Sequence, residues 1–167
     1  MKKVLIIGYG NPGRADDGLG TAFAENIRNL NLDNTDIDSD YQLSLEHALD
    51  IANAHLTILA DAHVSCQEPF IIKKVSPSNS FNFSTHNMSP ENLTSIAEQI
   101  SSNKKEVYIL GIRGYEFNEF RESLSEKALD NLHKTYECFK SILELTKEDY
   151  IKVKLENMCK GQIYERC

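Results

Sequence analysis

The sequence predicts a three-layer α/β/α domain built on a largely parallel, twisted sheet. Short apolar runs alternate with stretches of helical periodicity along the chain, the pattern of parallel strands joined by crossover helices. Several runs end on glycine or on acidic residues, as strands do where a chain turns toward a helix. A length of 167 residues suits one domain with one core.

Residues 3–7 form a β-branched and leucine run that reads as a buried strand. Glycines and Pro12 then break the chain. Leu19, Phe23, Ile27 and Leu30 fall on one face of a helix. Asp16 and Asp17 precede it, where a carboxylate can cap free N–H groups. A strand is expected over residues 35–41, followed by Ser44 as an N-cap and a helical face of Leu45, Ala48, Leu49 and Ala52. Residues 56–60 read as a second buried strand closing on Asp61, and residues 69–75 as a third, partly exposed one. After a Ser/Asn-rich loop over 76–87, Ser89, Pro90 and Glu91 mark a helix start. That helix has a face of Leu93, Ile96, Ala97 and Ile100. Residues 107–112 form another strand. Ser123 and Glu126 fit a capping box that opens a long helix with Leu129, Leu132, Tyr136, Phe139 and Leu143 on one face. In the tail, Ile151, Val153 and Leu155 alternate with Lys152, Lys154 and Glu156, which is strand periodicity. The expected division is one domain over residues 1–147, with residues 148–167 as a tail or an extra edge strand.

Composition narrows the function. The chain is 41% apolar and 26% charged, ordinary for a globular protein. Its formal net charge of -7 counts against a nucleic-acid partner, whose phosphates require a basic face. The longest apolar run, residues 4–7, is far short of the ~20 residues that span a bilayer. The basic start at Lys2 and Lys3 runs directly into Gly8-Tyr9-Gly10, without the apolar core of a signal peptide. A cytoplasmic protein is therefore expected. Cys66, Cys138, Cys159 and Cys167 make no Cys-x-x-Cys pair, which removes the main support for zinc-knuckle and thioredoxin-like readings. In a reducing compartment they are expected as free thiols, with Cys138 in the core.

In an open α/β sheet, ligands bind beyond the carboxyl ends of the strands. Three segments bring polar residues there: 11–17, 61–65 and 84–86. Two carboxylates drawn together, Asp17 and Asp61, would repel unless a proton or cation lay between them. With the His86 imidazole they make a set of oxygen and nitrogen ligands suited to a borderline divalent ion such as nickel or zinc. Three protein ligands would leave positions open for water or substrate. Blander readings stand beside this one: Asp17 as a helix cap, Asp61 as a solvated strand end, His86 as a loop histidine. His63 is a rival ligand, whereas His47, His55 and His133 read as surface residues.

A second motif competes. Gly8-Tyr9-Gly10-Asn11-Pro12-Gly13 satisfies G-x-G-x-x-G after a strand, so a dinucleotide-binding module using Gly8, Gly10 and Gly13 is an alternative. Against it, Pro12 has no N–H to offer a phosphate, and Asp16 and Asp17 would repel pyrophosphate at the helix start. No H-E-x-x-H helix or G-x-S-x-G elbow is present. Cys66 stands as a further nucleophile candidate with no sequence neighbour marking it as activated.

These segments resemble the hydrogenase maturation protease family over roughly residues 3–147. The first motif is Ile7-Gly8-Tyr9-Gly10-Asn11-Pro12-Gly13-Arg14-Ala15-Asp16-Asp17-Gly18-Leu19-Gly20, with the family's Gly-Asn, acidic pair and Gly-x-Gly. The second is Leu59-Ala60-Asp61-Ala62, and the third Ser84-Thr85-His86-Asn87-Met88-Ser89-Pro90. Gly111-Ile112-Arg113-Gly114, followed by the Ser123-Leu124-Ser125 helix entry, extends the match. The resemblance implies a phosphorylase/hydrolase-like α/β fold with metal ligands at Asp17, Asp61 and His86. It implies a nickel-dependent, aspartic-type endopeptidase that cuts a C-terminal peptide from a [NiFe] hydrogenase large-subunit precursor after nickel insertion. The nickel would be supplied by the substrate, and the enzyme would act as a monomer. Gln42 and Glu46 resemble a family segment near the site and are candidate substrate contacts. Arg113 is another, as a bidentate clamp for a substrate carboxylate, although a structural salt bridge is its simpler role. A metal-binding accessory protein that docks on the precursor without cutting it is the non-protease alternative.

Overall fold

The computed structural model describes residues 3–78, 88–144 and 148–161. Five strands form one sheet: β1 (Val4–Tyr9), β2 (Thr35–Asp40), β3 (Leu56–His63), β4 (Phe70–Lys74) and β5 (Glu106–Arg113). Their order is β2-β1-β3-β5-β4. All neighbours are parallel except β4, which pairs antiparallel with β5 at one edge. From β1 the chain first passes to β2 on one side and then returns to β3 on the other. The strand order therefore reverses between β1 and β3, where an open sheet forms a crevice at the carboxyl ends of its strands.

Strand residues alternate between two cores, as the period of two requires. Val4, Ile6, Ile58, Tyr108 and Leu110 face one core with α1 (Leu19–Arg28), α4 (Glu126–Glu144) and α5 (Glu148–Cys159). Leu5, Ile7, Leu59 and Val107 face the other with α2 (His47–Asn53) and α3 (Pro90–Ser101). This is the expected three-layer arrangement. Edge-to-face contacts of Phe139 with Phe23 at 5.4 Å and Phe70 at 5.7 Å tie α4 to α1 and β4.

The tail departs from its strand expectation. Ile151, Leu155 and Met158 lie at helical spacing and are buried, while Val153 is half exposed. The alternation in the sequence was part of a 3.6-residue period. A helix here covers Phe70 and Ile72, which an added edge strand would have left open to water. Lys152 anchors the helix to Glu106 at 3.0 Å.

Other boundaries moved for similarly local reasons. The start of α4 is capped by Ser125 rather than Ser123, with the Ala128 N–H donating to Ser125 Oγ at 3.3 Å. That register turns Leu129 outward and Ala128 inward. No side-chain cap forms at α2, where Leu45 and Leu49 are exposed and Ala48, Ile51 and Ala52 are buried. The α3 start is as expected, with Asn92 N–H donating to Ser89 Oγ, although Ile100 faces outward. His47, expected at the surface, is 4% exposed. Its Nδ1 accepts the Ser44 N–H, and its Nε2 lies 3.6 Å from Asp38. Cys66 and Cys159 are free thiols, whereas Cys138 is buried and disulfide-bonded, contrary to expectation. Among the described residues no helix is long and apolar enough to cross a membrane.

Candidate functional site

The glycines of the first motif let backbone meet backbone. A Cβ on Gly8 would fall 2.1 Å from the Gly20 carbonyl oxygen, and one on Gly20 would fall 2.3 Å from that of Ala60. Helix α1 thus rests directly on the ends of β1 and β3. Gly10 has φ +130, and its missing Cβ makes room for the carbonyl of Asp17. Only glycine adopts that backbone at little cost.

A 3-10 turn over Ala15–Gly18 precedes α1, and neither acidic residue caps the helix, contrary to the simple reading. The two carboxylates have separate roles. Asp16 is fully buried and points away from the crevice. It accepts N–H bonds from Tyr115 at 2.8 Å, Glu116 at 2.9 Å and Ser125 at 2.7 Å, and the Ser125 hydroxyl at 2.8 Å. Burial alone would raise its pKa, but these donors outweigh it and hold the carboxyl below the usual range. Asp17 accepts the Asn11 N–H on Oδ2 at 3.0 Å and lines the crevice.

Asp61 sits within β3, at the same crevice. Its Oδ1 accepts the Ala62 N–H at 2.7 Å. Burial, with the Asp17 charge adding to it, pushes its pKa up to about 6; the Ala62 N–H and the Tyr9 hydroxyl work the other way. Tyr9, Gly10, Asp17, Gln42, Asp61 and Met88 line a cavity of about 450 Å³ between the ends of β1 and β3. Another cavity, of about 500 Å³, lies along β2 and α2. There Lys3 already neutralises Asp36 at 2.9 Å, and Asp38 lies 3.6 Å from His47.

Of the sequence candidates, Asp17, Asp61 and Gln42 are therefore neighbours. His86 lies outside the described residues, although Met88, Ser89 and Pro90 just after it line the cleft. Glu46 is exposed and absent from the cleft lining. Arg113 also stands apart. Its Nη1 donates to the Val64 carbonyl at 2.5 Å, and its guanidinium stacks 5.1 Å from the Tyr115 ring. Among the described residues it makes neither the expected salt bridge nor a cleft contact. His63 leans over Gly111 on the β5 side. Its Nδ1 accepts the N–H groups of Ser65 and Cys66, and burial, Lys73 and Arg113 lower its pKa, so that nitrogen is already engaged. Burial raises the Cys66 pKa, and its thiol donates toward the Gly111 carbonyl at 3.6 Å. That is the environment of an inert thiol rather than an activated nucleophile.

The glycine loop offers little to a phosphate. The Gly10 N–H donates to Asp40 O, Asn11 N–H to Asp17, Gly13 N–H to the Asn11 side chain and Arg14 N–H to Asn11 O. Pro12 has none to give. These N–H groups stabilise the loop itself, which argues against the dinucleotide alternative.

The cleft's oxygen donors are of a chemistry that suits a divalent cation. Two carboxylates from separate elements share it, and burial, with the Asp17 charge adding to it, makes ionisation of Asp61 costly. A cation between them would relieve both costs. Among the described residues no cluster of three or more His, Cys, Asp or Glu groups has metal-holding geometry.

No family model and no curated protein matches this chain. Solved structures do. The [NiFe] hydrogenase maturation protease HycI from Thermococcus kodakarensis superposes with a TM-score of 0.70 at 22% identity, covering 86% of this chain and 93% of its own. The hydrogenase maturating endopeptidase HybD from E. coli gives 0.65 at 19% identity, with the same coverages of 86% and 93%. A hydrogenase 2 maturation peptidase from a Thaumarchaeota archaeon gives 0.61 at 21% identity, covering 86% and 99%. At such identities the likeness establishes a shared fold.

Proposed function

We propose that this chain is an endopeptidase of hydrogenase maturation. It removes a C-terminal peptide from a [NiFe] hydrogenase large-subunit precursor once nickel has been inserted. The observation that carries the reading is the meeting of Asp17 and Asp61 in one cleft at the β1/β3 switch point. The shared fold and the motif around His86 support it.

In this reading the nickel is part of the substrate. Asp17 and Asp61 supply oxygen ligands and His86 a nitrogen, and the ion polarises the scissile carbonyl or a water. The Asn11 N–H holds one oxygen of Asp17, and the Ala62 N–H holds one of Asp61. Each carboxylate is thereby oriented before the substrate arrives, so little ordering entropy is lost on binding. With a pKa of about 6, Asp61 is mostly ionised at neutral pH and available as a ligand. The substrate's C-terminal segment enters past Gln42 and Met88. The enzyme acts in the cytoplasm as a monomer.

Intact-mass analysis of nickel-loaded and nickel-free precursor after incubation tests the reading. Loss of one C-terminal peptide from the loaded form alone is expected, and Asp17→Ala or His86→Ala should abolish it. Cutting of both forms would remove the nickel requirement. A stable complex without cutting would favour the accessory-protein alternative.

A further inference from the structure

We infer that Asp16 is a positioning residue for this reaction: its carboxylate clamps the loop after β5 onto the Ala15–Gly18 turn and so keeps the adjacent Asp17 directed at the cleft. The inference rests on the proposed role of Asp17 there.

Ala15 takes φ +48, a left-handed conformation that a Cβ makes costly. Such a backbone persists where surrounding contacts over-determine it. Here those contacts come from the loop after β5. The Ala15 N–H donates to the Arg121 carbonyl and the Asp16 N–H to the Glu116 carbonyl, both at 2.9 Å. Arg14 Nη2 donates to the Phe117 carbonyl at 3.3 Å. The Asp16 side chain completes the clamp by accepting the Tyr115, Glu116 and Ser125 N–H groups and the Ser125 hydroxyl. Gly114 lets it approach, since a Cβ there would fall 3.0 Å from the Asp16 Cβ.

The turn sends two consecutive carboxylates in different directions. Asp16 is fully buried, whereas Asp17 lines the cleft with Oδ2 on the Asn11 N–H at 3.0 Å. Holding Ala15 left-handed fixes the backbone from which Asp17 projects. A relaxed Ala15 would swing the Asp17 carboxylate away from Asn11. Only an acceptor with two oxygens and no hydrogens satisfies all four donors, and an asparagine would turn an NH2 on some of them.

The test compares wild type, Asp16→Asn, and Asp16→Asn combined with Ala15→Gly. Leu155→Ala, remote from the cleft, is the control for lost stability. Crystal structures give the position of Asp17, and processing of nickel-loaded precursor gives kcat/KM at a temperature where each protein is folded. Asp16→Asn should displace the Asp17 carboxylate and lower kcat/KM about tenfold or more, as misplacement of a reacting group does. Leu155→Ala should keep the wild-type kcat/KM. Glycine adopts a positive φ at little cost, so Ala15→Gly should restore most of the loss in the double variant. An unmoved Asp17, a kcat/KM no lower than that of Leu155→Ala, or no recovery with glycine overturns the inference. If Asp16→Asn does not fold, Ser125→Ala removes one donor from the same clamp. A severalfold lower kcat/KM with a displaced Asp17 is then expected, and wild-type values overturn the inference. Failure of the wild-type protein to cut would sink the proteolytic reading, and the position of Asp17 would still decide what Asp16 does.

Discussion

Replacing Asp61 by Asn should stabilise the protein at neutral pH. The folded-state pKa of Asp61 is raised to about 6 by burial and by the Asp17 charge, against about 3.9 in an unfolded chain. A raised acid pKa means that the folded state prefers the protonated form. Ionisation therefore costs folding free energy as pH rises from about 4 to 6, and the cost stays constant above that. A shift of about 2 units corresponds to at most about 3 kcal/mol. Because the group is partly solvated and an asparagine makes its own imperfect contacts, about 1–2 kcal/mol is the expected gain. Urea unfolding of wild type and Asp61→Asn from pH 4 to pH 8 would measure it. The gain should be full near pH 7, shrink below pH 6 and disappear near pH 4. An asparagine variant less stable than wild type at pH 7, or a gain that grows toward acid pH, would refute the electrostatic account. The same substitution should cost cleavage activity, because the destabilising charge is the proposed metal ligand.

Asp16→Asn should act in the opposite direction. Four donors lose a charged acceptor, and either the one on Oδ1 or the three on Oδ2 must face an amide NH2 instead, so a loss of about 2–4 kcal/mol is expected in urea unfolding. Because the Asp16 pKa is lowered, its contribution is full above the unfolded value near 4 and fades as pH falls below it; a pH-independent difference would contradict this. Gly20→Ala forces a Cβ to within 2.3 Å of the Ala60 carbonyl oxygen. It should cost about 3 kcal/mol or prevent soluble expression, and a near-wild-type melting temperature would show that α1 can lift from the sheet. Leu155→Ala deletes a fully buried side chain and should cost about 2–5 kcal/mol. A negligible loss in thermal unfolding would mean that α5 does not belong to the core.

Much of the architecture was legible because the main-chain periods are strong. The buried runs at 4–7, 56–60 and 107–112 became β1, β3 and β5. The Ser89-Pro90-Glu91 start held because cap chemistry is local. Predictions failed where two periods coexist or where two serines compete for one cap. Ile151, Val153 and Leu155 satisfy both strand and helix spacing, and the exposed face of β4 chose the helix. Ser125 took the α4 cap from Ser123 because its hydroxyl and N–H also satisfy buried Asp16, a partner distant in sequence.

The site divides in the same way. Residue types and their order along the chain nominated Asp17 and Asp61, since carboxylates at strand ends are visible without coordinates. Why Asp17 rather than Asp16 serves the cleft was beyond local sequence. One is saturated by the 115–125 loop and the other is turned into the crevice, and that division is made by contacts across the fold. Tyr9 was hidden for the same reason, because its place in the cleft beside Asp61 depends on how β1 pairs with β3. Sequence by itself determined the elements and the chemistry available, through local backbone preference and side-chain type. Tertiary structure decided which charged groups are neutralised and which are left facing one another, because burial and charge pairing depend on neighbours that chain order does not specify.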